Sequence, residues 1–144
     1  MRRANALPTI GTASRKTAVE FLSREWRFEA LRQALRREIR THSGQRVLAA
    51  TLGVGRSVIR KFLELRSTPS PHNLEVLEAW AEDRPAVSVP TGAVCLALLA
   101  GDLEPGLRYN ARLRLAKGLA ELYADSACPV PTWLRDEISD RTGA

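Results

Sequence analysis

The side chains of this chain that could do chemistry are mostly cationic, and they are unevenly placed. Residues 1–66 hold 15 Lys/Arg against 5 Asp/Glu, a net of +10; residues 67–144 hold 7 against 11, a net of −4, leaving the whole chain at +6. Arg56, Arg60 and Lys61 crowd into the stretch LGVGRSVIRKF. Such asymmetry implies a polyanionic partner for the basic half, nucleic acid first of all; the competing reason is a solvated charged face kept for solubility. Other chemistries are poorly served. No Gly-rich loop ends in Lys-Ser/Thr and no Ser, Cys or His stands in a recognisable nucleophile setting, so an enzyme is not expected. Cys95 and Cys128 lie far apart without Cys-x-x-Cys spacing, and His42 and His72 lack matching ligands, so no metal or other cofactor is expected.

The two thiols read as reduced packing residues of a cytoplasmic protein. The N-terminus, MRRANALPTIGTASRK, lacks the apolar stretch of a signal peptide. The longest apolar run, AVCLALLAG, is about half of what a membrane span needs. The expectation is a soluble, cytoplasmic chain without membrane contact.

The elements that must position the cations read as helices. Residues 1–16 are expected to be a basic, flexible arm; Arg2, Arg3, Arg15 and Lys16 read first as charge that aids solubility and second as an arm that follows a nucleic-acid backbone or enters the minor groove. From about Thr17 to Arg40, Phe21, Phe28, Leu31, Leu35 and Ile39 recur at helical steps, and the arginines between them (Arg32, Arg36, Arg37, Arg40) fall mostly off that stripe. Gly44 stops this helix. Gln45 to Leu52 reads as a second helix, and Gly55 or Arg56 opens a third with Val58, Ile59, Phe62 and Leu63 inward. Pro69 and Pro71 break the chain, and a fourth helix carries Leu74, Leu77 and Trp80. Then Thr91 caps a short helix to Ala100, Pro105 opens a longer one to about Ala124, and Thr132 caps a last one to about Asp140. The only candidate strand is AVSVP. The fold class is therefore all-α: a helical bundle at 17–84, which is the basic half and so the expected nucleic-acid binder, then a small helical C-terminal module at 85–144.

Between the second and third helices, Leu48 and Leu52 face inward, Ala49 is small enough for a close crossing, Gly53 tolerates a positive backbone angle, Val54 plugs the turn, and Ile59 and Phe62 anchor the third helix. These seven positions resemble the helix-turn-helix of the Cro/phage-repressor (XRE) class, over roughly residues 28–81. The resemblance implies that the third helix enters the major groove of double-stranded DNA, with Arg56, Ser57 and Lys61 at base edges and Arg60 at a base or nearby phosphate. It also implies phosphate binding by Gln45, with Arg46 a further candidate. One departure stands out. The family often has a glycine just after the recognition helix, where this chain has Glu64-Leu65-Arg66-Ser67, so that loop is expected to be reshaped.

Val94 to Ala100 is apolar all round and must be buried all round. The next helix offers Leu107, Ala111, Leu115, Leu119 and Leu122, with Ala116, Gly118 and Ala120 small. A homodimer through Leu96, Leu99, Leu115, Leu119 and Leu122 is therefore expected, packing against the bundle being the other solution. The functional expectation is a sequence-specific transcriptional regulator, a dimeric repressor, with arginines of the first helix adding sequence-independent affinity. The alternatives are an antitoxin that autoregulates its operon and a protein-interaction (anti-activator) module built on the same bundle.

Overall fold

The computed structural model describes residues 12–142, with side chains from 17 to 140. Among these residues the chain is all-helical and has no strand. The helices are α1 (Thr12–Thr41), α2 (Gln45–Leu52), α3 (Arg56–Leu63), α4 (Pro71–Glu82), α5 (Thr91–Gly101), α6 (Arg108–Asp125) and α7 (Thr132–Thr142), with a 3₁₀ turn at Pro105–Leu107 leading into α6. Most of the expected arm lies outside the described residues, but α1 already begins at Thr12, inside it. The AVSVP segment is irregular. Thr91 is the first helical residue of α5, with Pro90 before it, and does not cap it by a side-chain bond. Ser70 does form a side-chain cap: its hydroxyl accepts from the Asn73 amide ahead of α4, with Pro71 in the first turn.

One core is built from α1 to α4. Phe28, Leu31 and Leu35 of α1 pack with Leu48, Ala49, Val54, Ile59, Phe62, Leu77 and Trp80, and Leu52 lies at its edge. Phe28 and Phe62 meet edge to face at 6.0 Å between ring centres. The turn between α2 and α3 closes on Gly53, whose φ of 69° is left-handed; the Val54 amide behind it donates to the Ala49 carbonyl at 3.1 Å. Arg84 pins α4 to α1 by stacking on the Trp80 ring and pairing with Glu38.

The loop after α3 turns without a glycine: Leu65 takes the left-handed conformation itself, at φ 62°. The Leu65 amide donates to the Phe62 carbonyl and the Arg66 amide to the Lys61 carbonyl, which ends α3 as a glycine would. A left-handed leucine costs on the order of 1–2 kcal/mol. Its burial against Ala97 and Ala100 of α5, with Ala111 of α6 alongside, offsets that cost.

The second half packs on the first as well as on itself. α5 lies against α1, α6 and α7. Leu96, Ala116 and Leu134 form a third buried group, with Leu119, Ala120, Tyr123, Trp133 and Ile138 around it. Gly92 lets the Trp133 ring close onto α5 where a methyl group would collide with it. α5 is not buried all round, because Cys95 and Leu99 face outward. α6 turns inward a face one step away from the expected leucine stripe: Arg112 and Ala116 are buried, while Leu107, Leu115 and Leu122 are exposed.

Candidate nucleic-acid interface

α3 is eight residues long and has two sharply different sides. At about 100° per residue, Arg56, Ser57, Arg60 and Lys61 span an arc of about 140°, and Val58, Ile59, Phe62 and Leu63 fill the opposite one. The inner arc is in the core, with Ile59 and Phe62 fully buried and Val58 and Leu63 packed beside them. The outer arc is exposed at all four positions, and no described side chain bonds to any of them. α3 is thus a rod held from behind, presenting two guanidiniums, an ammonium and a hydroxyl.

The two expected phosphate ligands begin α2. Arg46 is exposed and Gln45 is half-buried. The residue before them, Gly44, gives the first-turn amides no side-chain cap. Gln45 and Arg60 line one cleft of about 390 Å³ between α1, α3, α6 and α7, together with Arg36, Arg40, Tyr109 and Asp140.

Three of the α1 arginines expected to serve as general phosphate ligands are engaged within the molecule, while Arg27 and Arg37 stay exposed. Arg32, far from lying off the buried stripe, is 5% exposed. Its Nε donates to the Phe62 carbonyl at 3.0 Å, and its guanidinium stacks on the Phe62 ring at 4.7 Å. Arg36 Nη2 donates to the Leu63 carbonyl at 3.1 Å. Arg40 bonds Asp140 of α7.

These bonds belong to a buried network that sequence reasoning missed. Arg112 of α6 has no solvent exposure. It donates Nη1 and Nη2 to the two oxygens of Glu29 at 2.8 and 2.6 Å. Its Nε and Nη2 also bind Glu137 of α7, both at 2.8 Å. Glu29 further accepts from Arg32 at 3.2 Å and from Gln33 at 3.1 Å, and lies 4.0 Å from Arg36. Burial alone would raise the Glu29 pKa; the bond and field of Arg112, then the charges of Arg36 and Arg32, bring it down to about 2. The same carboxylates hold Arg112 protonated, against its burial. A second arginine of α6, Arg108, donates to the Leu65 carbonyl at 2.9 Å and to the Leu103 carbonyl at 2.8 Å. The one sequence signal for this junction is Arg112 set one turn before Ala116 and Ala120, a cation in line with small residues.

Of the expected dimer residues, Leu96 is a correction: it is 5% exposed and packs on Ala116 and Leu134 of its own chain. Leu119 is half-buried against the same group. Leu99, Leu115 and Leu122 remain exposed, at 61%, 40% and 62%. Among the described residues no three His, Cys, Asp or Glu side chains converge, and no helix is long and apolar enough to cross a membrane. Compared with known proteins, the chain matches no family model, no curated protein and no solved structure.

Proposed function

We propose that this chain is a sequence-specific double-stranded DNA-binding regulator that reads bases with α3. The observation that supports this most is the outer face of α3: Arg56, Ser57, Arg60 and Lys61 are exposed together and unclaimed by any described acid, on a helix whose other side is core. Arg56 in the first turn suits bidentate bonding to guanine. Gln45 and Arg46 would hold flanking phosphates, as the helix-turn-helix resemblance implies. Exposed Leu99, Leu115 and Leu122 would meet a second copy, setting two α3 helices in major grooves about 10 base pairs apart. As a repressor, the dimer would act by occupying a promoter.

Selection of bound duplexes from a random pool, followed by binding to the winner, tests this. A palindromic motif is expected, and Arg56→Ala with Lys61→Ala should lose it while the fold is retained. Recovery of no motif at moderate salt would overturn the reading. The same exposed leucines favour one other reading, a protein-interaction module; its signature would be a partner bound equally by the double variant.

A further inference from the structure

The two halves meet at the C-terminal end of α3, and the side-chain donors that bond the carbonyls there come from outside α2 and α3. The Phe62 carbonyl is bonded by Arg32, the Leu63 carbonyl by Arg36 and the Leu65 carbonyl by Arg108. An eight-residue helix has half of its carbonyls in its last turn, so these bonds govern how firmly it is seated. Arg32 and Arg36 are shared between those carbonyls and the Glu29 carboxylate. Glu29 is kept from claiming them outright because Arg112 occupies both its oxygens. Arg112 is in turn held flat by the two oxygens of Glu137.

We propose that Arg112 is a positioning residue for α3: by saturating Glu29 it releases Arg32 and Arg36 to cap the helix, and Glu137 on α7 keeps it in place. Without Arg112, Glu29 is a buried carboxylate with vacant lone pairs, and the nearest cations are those two arginines. They turn to it, the Leu63 carbonyl loses its arginine donor and the Phe62 carbonyl keeps only the Leu65 amide, and α3 loosens at its C-terminal end. The C-terminal module thereby controls the seating of α3 although no residue of it belongs to that helix. The consequence for DNA rests on the function proposed above; the consequence for α3 does not.

Amide hydrogen exchange on the full chain tests the mechanism. In Arg112→Met, amides from Phe62 to Arg66 should exchange about tenfold faster or more, while Leu77 and Trp80 of α4 change by about twofold or less. Glu137→Gln, a milder change, should show the same pattern at smaller amplitude and covers the case in which Arg112→Met does not fold. Adding Glu29→Gln to Arg112→Met should restore protection around Phe62, because the competing carboxylate is gone. Uniform acceleration in all helices, no change at α3, or a double variant looser there than the single one would each overturn the proposal. On a selected duplex, Arg112→Met should bind about tenfold more weakly while binding to unrelated duplex holds within about twofold. Equal losses on both duplexes would overturn the link to base reading. If the wild-type chain selects no duplex, the proposed function fails and the exchange result still decides the role of Arg112.

Discussion

Glu29 should make the stability of this protein acid-sensitive in a way one substitution removes. Its pKa falls from an ordinary 4.5 to about 2, which corresponds to about 3 kcal/mol of preference for the ionised form in the folded state. The folded pKa lies below the unfolded one, so on acidification the unfolded chain takes up the proton first. The contribution is whole above about pH 5 and drains away as the pH falls towards 2. In Glu29→Gln there is no ionised form to favour, and Arg112 keeps a single carboxylate. At pH 7 the variant should be weaker by about 3–5 kcal/mol, the cost of removing one partner from a buried pair. Denaturant unfolding of both chains from pH 7 to pH 2.5 measures the gap between them. It should shrink by about 2.5 kcal/mol over that range, nearly all of it below pH 5. A gap that stays constant with pH would refute the reasoning, because Glu29 would then contribute by shape and not by charge.

Other perturbations follow from the same structure. Ala127 ends α6 in a left-handed conformation, at φ 56°, and is exposed; Ala127→Gly should raise stability by about 0.5–1 kcal/mol in thermal unfolding. Leu65 shares that conformation but is buried, so Leu65→Gly should lower stability by about 1 kcal/mol or more, lost burial outweighing relieved strain. Gly92→Ala drives a methyl into the Trp133 ring and should cost about 1–3 kcal/mol in denaturant titration. If the chain binds DNA as proposed, Arg46→Gln should flatten the dependence of log affinity on log salt by about one unit. Arg40→Gln should leave that slope unchanged, because Asp140 already claims Arg40.

Much of the helical frame was legible in the chain because it is set locally. Gly53, Pro71 and Gly101 each fall within a residue of the helix end expected of them, where a left-handed φ at Gly53 or a missing amide at Pro71 acts locally; Gly44 does not stop α1, which ends three residues earlier at Thr41, and instead precedes α2 with an extended backbone. The periodic stripe Phe28-Leu31-Leu35 was legible for the same reason, since one helix turned to one core leaves a repeat. The α5–α6–α7 packing was not. α6 carries leucines on one side and Arg112, Ala116 and Ala120 on the adjoining one, and hydropathy ranks the leucine side as the core. The side chosen is the one on which Arg112 meets Glu29 and Glu137, partners 83 and 25 residues away in sequence. Nothing local to α6 announces a carboxylate on α1. Leu65 escaped for a related reason: a leucine in a glycine position looks like a loop that has changed shape, unless one knows that Ala97 and Ala100 are waiting to cover it.

The charge asymmetry also changes meaning once the halves are joined. From sequence it described a basic surface on one module and a mildly acidic module beside it. In the fold, Asp136, Glu137 and Asp140 of α7 line the same cleft as Arg36, Arg37 and Arg40 of α1. Part of the positive excess is therefore answered inside the molecule, and the acidity of the second half is what answers it. Had α7 been placed over α3 instead, the same complementarity would have covered Arg56 and Lys61 and removed the case for a polyanion partner. It is placed over α1, against Arg36, which caps α3, and against the exposed Arg37 and Arg40. Exposed cations also remain on α1, at Arg24, Arg27 and Arg37, and on α6, at Arg114 and Lys117; what sets α3 apart is that Arg56, Arg60 and Lys61 share one arc of an eight-residue helix whose other side is core.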